Sequence, residues 1–360
     1  MPVQGPLMLD DYRLLGRSGL RVSPLCLGTM TFGTEWGWGA DRETSKQIFD
    51  AYARRGGNFI DTANFYTQGT SETFLADFLG TERERFVVAT KYTLGMRRGD
   101  PNSGGNHRKC LVQSLEASLK RLKTDYIDLY WVHCWDYTTP VDEVMRALDD
   151  LVRAGKILYL GVSDVPAWLI ARSQTMAELR GWTRFVALQI EYSLIERTVE
   201  RELTPMAEAL GIGVLPWSPL GGGVLTGKYS RADLAAQQQA GFDPKQLKGG
   251  NRPLGLTEKK IAAAEAVQLI AKETGHSPAQ IALNWLLAKP NVVSPILGAR
   301  KVDQLEDNLG SLAFALSQEH LLRLDEATAI ERGFPHDFIE GPRVRDIVTA
   351  GTRVPRTPHV

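Results

Sequence analysis

Eight short apolar phrases that read as β-strands alternate with helical phrases along this chain, and that number is its strongest constraint. They are PLCLGTM at 24–30, NFIDTA at 58–63, FVVATK at 86–91 and YIDLYWVH at 126–133, then ILYLGVSD at 157–164, FVALQIEY at 185–192, IGVLPWSP at 212–219 and VVSPILGA at 292–299. As a set they are apolar and rich in Val, Ile and aromatics, as parallel strands covered on both faces should be. Length alone fits one α/β barrel or two ordinary domains. Eight β/α units decide between them, because eight close a barrel. The expected architecture is a (β/α)8 TIM barrel, one domain over residues 1–360. With 43% hydrophobic residues the chain can fill such a core.

The stretches between the strand phrases carry helical spacing. Leu111, Leu115, Leu119 and Leu122 recur at intervals of four, four and three, and Val141, Val144, Leu148, Leu151 and Val152 are likewise spaced for one helical face, with Gly155 as a stop. Ser277 and Pro278 read as the N-cap and first residue of a helix that Pro290 ends. Three segments break the alternation. Residues 12–23 read as a small β-hairpin ahead of the first barrel strand. Residues 230–256 read as a polar insertion rather than a helix. From about Gly333 the chain is punctuated by Pro and Gly and lacks periodicity. In a barrel, long loops after the strands gather around the C-terminal mouth.

Charge is balanced, 42 basic against 42 acidic residues, which gives no electrostatic drive toward nucleic acid or an acidic membrane. Three cysteines without CxxC spacing argue against a disulfide framework or a cysteine zinc site. The first residues lack a signal-peptide pattern, and no apolar run reaches spanning length. A cytoplasmic protein without a metal or a membrane segment is expected.

Ionisable residues stand where strands end: Asp61 on the second strand phrase, Lys91 on the third and His133 on the fourth, with Tyr66 on the loop just beyond Asp61. Alone, each has a plainer reading. An Asp or Lys at a strand end is more often a cap or a surface charge, and a histidine beside Trp131 and Trp135 a packed rim residue. Together at adjacent strand ends they converge on one barrel mouth and make chemical sense. A buried lysine is costly unless paired, and Asp61 would pair it. A lysine cation beside Tyr66 favours phenolate and is expected to lower the tyrosine pKa. Tyr66 would then be a general acid for a carbonyl oxygen, with His133 orienting the same oxygen.

The phrases YRLLGRSGLRVSPLCLGTMTFG, NFIDTANFY, VVATKY, DYIDLYWVH, GVSD, LQIEYSL, PWSPLGGGVLTGKY and GARKVDQLEDN, in this order over residues 12–330, resemble the aldo-keto reductases, including the potassium-channel β-subunit-like and bacterial branch. The resemblance implies a barrel without a Rossmann domain that binds NADP(H) in extended form, with NAD(H) as the alternative. It implies Asp61, Tyr66, Lys91 and His133 as the catalytic tetrad, and an aldehyde or ketone and its alcohol as the small-molecule partners. It places Gly28, Thr29, Met30 and Asp61 on the nicotinamide side, Ser163, Asp164 and Gln189 on the carboxamide and Trp217 stacked on the ring. Ser218, Pro219, Leu220 and Gly222 would wrap the pyrophosphate, with Lys228 nearby. Gly298, Ala299, Arg300, Gln304, Asp307 and Asn308 would meet the adenosine phosphate, Arg300 being the candidate for the 2′-phosphate.

Four positions depart from the common pattern. Asp164 replaces the usual Asn, and an acid accepts but does not donate. Trp217 replaces Tyr and keeps a stacking surface, Thr67 replaces the Gly after the catalytic tyrosine, and Gln304 replaces Arg. Trp36, Trp38 and Trp135 are candidates for an apolar substrate wall, and Cys134 reads as structural.

Two nucleotide motifs are decoys. GGVLTGKY at 222–229 nearly matches a P-loop, but Tyr229 stands where a Ser or Thr must ligate magnesium. GTMTFG at 28–33 lacks the Rossmann GxGxxG. The rival function within the same resemblance is a nucleotide-binding regulatory subunit on a channel-like membrane partner.

Overall fold

The computed structural model describes residues 5–240 and 255–354. A two-stranded antiparallel hairpin, β1 (Arg13–Leu14) and β2 (Arg21–Val22), precedes eight parallel strands. These are β3 (Cys26–Gly28), β4 (Phe59–Asp61), β5 (Val87–Tyr92), β6 (Ile127–Val132), β7 (Ile157–Ser163), β8 (Phe185–Glu191), β9 (Gly213–Trp217) and β10 (Ile296–Gly298). Neighbours pair in chain order from β3 to β9, and β10 pairs back onto β3. The last seam is short. Val214 N donates to Asn291 O and Val293 N to Val214 O, each at 2.9 Å. The result is the (β/α)8 barrel that the eight apolar phrases require.

Helices α1 (Arg42–Arg54), α2 (Thr70–Leu79), α3 (Arg108–Leu122), α4 (Val141–Arg153), α5 (Ala167–Arg180) and α6 (Leu203–Leu210) follow successive strands. The last inter-strand connection carries α7 (Arg231–Ala240), α8 (Glu258–Thr274) and α9 (Pro278–Leu287). Ser277 caps α9 in a reciprocal box with Gln280, which satisfies two N-terminal donors at once. After β10 come α10 (Val302–Leu309) and α11 (Gln318–Ala327).

Two expectations change here. The segment read as a polar insertion opens with helix α7 at 231–240, and its residues 241–254 lie outside the described residues. Leu234 packs with Leu256, Val224 and Ile261 in a small apolar cluster, and that packing supports a helix which polarity argues against. The tail from Gly333 likewise forms two short helices, α12 (His336–Glu340) and α13 (Pro342–Val348). Residues 355–360 lie outside the described part.

Side chains alternate along each strand, so every strand feeds two cores. Ile60, Val88, Tyr130, Val162, Leu188 and Val214 face the helices. Cys26, Phe59, Val87, Ala89, Leu129, Trp131, Ala187 and Leu215 fill the barrel, which Leu15 and Val22 of the hairpin join. Trp131 is fully buried there, and a Cβ on Gly161 would lie 2.2 Å from its ring. Glycine at 161 makes room for that tryptophan.

The register turns this alternation into a staircase. Asp61 pairs with Ala89, and Lys91 is the next inward residue on β5. Lys91 pairs with Trp131, and His133 is the next inward position beyond β6. Each step of two residues keeps the side chain inside while following the stagger that a closed barrel needs.

Candidate active site

The staircase ends in a cavity of about 780 Å³ at the strand C-termini. Asp61, Tyr66, His133, Ser163, Gln189 and Trp217 line its floor and walls. Lys91 lies just beneath, fully buried, against an Asp61 that is 2% exposed.

The lysine is held by three acceptors. Its Nζ donates to Asp61 Oδ2, to Thr62 O at 2.9 Å and to the Tyr66 hydroxyl at 2.9 Å. An ammonium has three protons and no acceptor, so all of its capacity is used. The Tyr66 oxygen therefore accepts from Lys91 and keeps its own proton for another partner. Asp61 Oδ1 accepts from Gln189 Nε2 at 2.9 Å, which ties the pair across the barrel.

Burial pulls the Lys91 pKa down, but Asp61 and Tyr66 outweigh it and the net direction is up. Burial raises the Tyr66 pKa, and the opposing pull of Lys91 does not reverse it. This corrects the expectation of a lowered tyrosine pKa: the cation limits the rise that burial imposes. His133 is pushed well below the ordinary imidazole value, first by burial and then by the Lys91 charge. It is neutral at physiological pH. Its Nδ1 is buried without a partner among the described residues, and the side chain lines the cavity.

Tyr66 sits on an unusual turn. Thr67, Gln68 and Gly69 follow it with φ of 45°, 57° and 93°. Thr67 is fully buried, donates to Phe32 O at 2.7 Å and accepts from Ser71 N at 3.2 Å. A β-branched residue in the left-handed region is strained, and here the hydroxyl supplies two bonds that a glycine could not make. Phe32 belongs to the loop that carries Trp36 and Trp38, so Thr67 ties that loop to the Tyr66 turn.

An aromatic wall rises from the tyrosine. Trp36 packs against Trp38 at 5.4 Å, Phe65 at 5.8 Å and, edge-on, Tyr66 at 6.4 Å between ring centroids. Met30 and Leu94 also line the cavity. Trp135, the third expected wall residue, packs instead against the cluster between the strands and the helices. It lies two residues past His133, beyond the end of β6 at Val132, where strand alternation no longer fixes which way a side chain points.

Toward the other end the cavity is lined by Ser218, Pro219, Leu220, Gly222, Lys228, Gly298, Arg300, Gln304, Asp307 and Asn308. Gly28 lines it beside Gly298, the two being register partners. Thr29 and Ala299 do not reach it. Thr29 is buried and donates from Oγ1 to Asp61 O at 3.1 Å, and the Ala299 carbonyl accepts from Thr31 Oγ1 at 2.7 Å. Both brace the loops around the site. The N-terminus of α9, Ser277 to Ala279, also faces the cavity. Only its capping pattern marks it in the sequence. Phe65 lines the cavity as well and is missed by reading strand ends alone.

This end suits an anion. Lys228 is pushed down by burial and then by the charge of Arg300, so two cations are held near one another despite repulsion. At the opposite end Ser163 Oγ is buried with no partner among the described residues, a polar atom for an incoming group to satisfy. The donors present thus fit an extended dinucleotide, phosphates by Lys228 and Arg300 and an amide-bearing ring by Ser163. Among the described residues no group of His, Cys, Asp and Glu could hold a metal ion, and no helix is long and apolar enough to cross a membrane.

The model of the aldo/keto reductase family matches residues 24–329. The chain belongs to the aldo/keto reductase family. As an aldo-keto reductase it is an oxidoreductase of carbonyl chemistry. It is similar to norsolorinic acid reductase of Aspergillus flavus, 39% identical over 93% of this chain and 85% of that protein. It is 36% identical to norsolorinic acid reductase B of Aspergillus parasiticus, over 95% and 90% of the two chains. It is 37% identical to an NADP(+) aryl-alcohol dehydrogenase of Phanerodontia chrysosporium, over 92% and 89%. These relatives are fungal enzymes.

Proposed function

We propose that this aldo-keto reductase is NADP(H)-dependent and interconverts an aromatic aldehyde or ketone with its alcohol, Tyr66 being the proton donor in reduction. The observation that carries the reading is the hydrogen bond from Lys91 to the Tyr66 oxygen, which leaves the phenol proton free for a substrate. A bound reduced nicotinamide would supply hydride to the carbonyl carbon.

The chain's own residues do the rest. Tyr66 gives its proton to the carbonyl oxygen as negative charge develops there. Lys91 stabilises the phenolate left behind, and Asp61 keeps Lys91 charged and in place. Neutral His133 donates to the same oxygen and fixes its position. Ser163 and Gln189 would hold the carboxamide, Gln189 being itself fixed by the bond from its Nε2 to Asp61. Lys228 and Arg300 bind the phosphates, Arg300 through the planar fork that suits them.

Trp36, Trp38 and Phe65 favour a flat aromatic carbonyl, in keeping with the names of the relatives. Those names are of a dehydrogenase and of reductases, which favours turnover over a purely regulatory role on a channel-like partner. The test is NADPH and NADH consumption by the purified chain across aromatic and aliphatic carbonyls, with Tyr66→Phe alongside. Aromatic aldehydes should turn over with NADPH, and Tyr66→Phe should lose most turnover yet still bind NADPH. Full activity in Tyr66→Phe would refute the proton-donor role. Tight NADPH binding without turnover on the whole panel would favour the regulatory reading.

A further inference from the structure

We infer that Ser71 and Glu72, adjacent residues in the first turn of α2, are positioning residues for the reaction: they clamp a row of three buried threonines and so fix Asp61, Lys91 and Tyr66 relative to one another. The inference rests on the function proposed above.

The row follows from the strand register. Gly28 pairs with Asp61, and Asp61 pairs with Ala89. One residue further along each chain stand Thr29, Thr62 and Thr90, level with one another and all fully buried. Thr62 directly follows Asp61, and Thr90 directly precedes Lys91. Two of the catalytic side chains are therefore one residue away from the row.

Ser71 and Glu72, also fully buried, meet the row from α2. Ser71 Oγ lies 2.7 Å from Thr29 Oγ1, 2.9 Å from Thr29 O and 3.0 Å from Thr62 Oγ1. One directed chain satisfies these hydroxyls: Thr62 donates to Ser71, Ser71 to Thr29, and Thr29 to the Asp61 carbonyl. Thr90 Oγ1 donates to Glu72 Oε1 at 2.6 Å, and Arg121 Nε donates to Glu72 Oε2 at 2.6 Å. The same turn of helix holds the tyrosine loop, because Ser71 N donates to Thr67 Oγ1 at 3.2 Å. The Arg121 stem crosses that loop at Gly69, where a Cβ would lie 2.8 Å from Arg121 Cδ. Helix α2 is thus bonded to the ends of β3 and β4, to β5, and to the turn that carries Tyr66.

Stability alone does not account for this cluster. The same strands present Leu27, Ile60 and Val88 to the helix layer, and apolar residues in place of the threonines and the glutamate would avoid the cost of burying hydroxyls and a charge. Apolar contacts tolerate sliding, whereas hydrogen bonds fix direction and length. That matters here because the bond from Lys91 to Tyr66 joins β5 to the turn after β4. A displacement of about 1 Å between two such groups is enough to cost on the order of a hundredfold in rate.

The test compares Ser71→Ala, Thr90→Val and Thr90→Ser with the wild type, using NADPH and a benzaldehyde. Turnover is expressed per NADPH-binding site, from fluorescence titration, so that loss of folded protein does not count. Ser71→Ala and Thr90→Val should each lower kcat about ten- to a hundredfold. The Kd for NADPH should stay within about twofold, since neither residue lines the cavity. Thr90→Ser keeps the hydroxyl and should recover most of kcat. Wild-type kcat per site in either Ser71→Ala or Thr90→Val overturns the proposal, as do losses of NADPH affinity that match the losses in kcat. Failure of Thr90→Ser to recover overturns it too, and this pair decides alone if Ser71→Ala does not fold. All of these results leave the proposed function standing, whereas a wild type without turnover on the carbonyl panel overturns that function.

Discussion

Lys91 donates to the Tyr66 hydroxyl at 2.9 Å while its other two protons are taken by Asp61 and Thr62. A donor-only ammonium therefore fixes which way the tyrosine proton can go. The relationship also couples activity to stability, because the same ammonium compensates a buried carboxylate.

Replacing Lys91 with Met should expose both effects. Asp61 would remain buried without its cation, at a cost of about 3–5 kcal/mol in urea unfolding. Carbonyl reduction should fall at least about a hundredfold through loss of phenolate stabilisation. The double variant Asp61→Asn/Lys91→Met removes both charges and should unfold later in urea than Lys91→Met alone. Wild-type stability in the single variant would contradict the pairing.

The pH profile follows from the directions of the shifts. Reduction requires Tyr66 protonated and Lys91 charged, and both groups are raised. It requires His133 neutral, and that group is lowered well below 6.5. At saturating NADPH, kcat/KM for reduction should be flat from about pH 6.5 to about pH 10 and decline only above that. A basic limb centred near pH 8 would show that burial does not dominate at Tyr66.

Thr67 offers a test in which the smaller residue is the better replacement. Alanine at 67 keeps the strained left-handed backbone and loses both hydroxyl bonds, for a loss of about 2 kcal/mol. Glycine loses the bonds but relieves the strain, so thermal unfolding of Thr67→Gly should lie closer to the wild type than that of Thr67→Ala. The reverse order would mean that φ 45° is of no energetic consequence there.

Asp136 should govern part of the acid stability. Partial burial pushes its pKa up, but hydrogen bonds from Asn106 N, Thr138 N, Thr139 N and Thr139 Oγ1 outweigh that and hold it at about 2. A folded pKa below the unfolded one stabilises above about pH 4, and this is lost as pH falls toward 2. Asp136→Asn should thus cost about 1–2 kcal/mol at pH 7, allowing for solvent screening, and almost nothing near pH 2. Urea unfolding at the two pH values reads the difference.

Trp36 should select for aromatic substrates. Trp36→Ala removes the central ring of the wall and should raise KM for a benzaldehyde about tenfold, with little change for a short aliphatic aldehyde. Equal effects on both would point to collapse of the loop instead.

How far the site can be read from the chain varies by residue. Asp61, Lys91 and His133 are legible because strand alternation assigns each an inward face once its strand is found. Trp131 and Gly161 illustrate the opposite case, since the glycine has a reason only when the tryptophan ring lies against it. Thr29 and Ala299 sit in the right stretches yet point away from the cavity, and Trp135 turns toward the helices. One residue of register separates lining from bracing, and loop residues have no fixed period to announce it. Helix α7 is obscured for a related reason: its polar face hides a few contacts that appear only when Leu256 is brought to it.

By itself the sequence determines the eight strands, their order and the parity that sends particular side chains inward, because these depend on local periodicity and on short connections. The tertiary structure decides the electrostatics. The direction of the Tyr66 shift is a contest between burial and the Lys91 charge, and burial exists only after the barrel closes. The match of Asp164 with Trp217 is likewise made across two strand ends 53 residues apart, a distance in sequence that only the closed sheet reduces to a hydrogen bond.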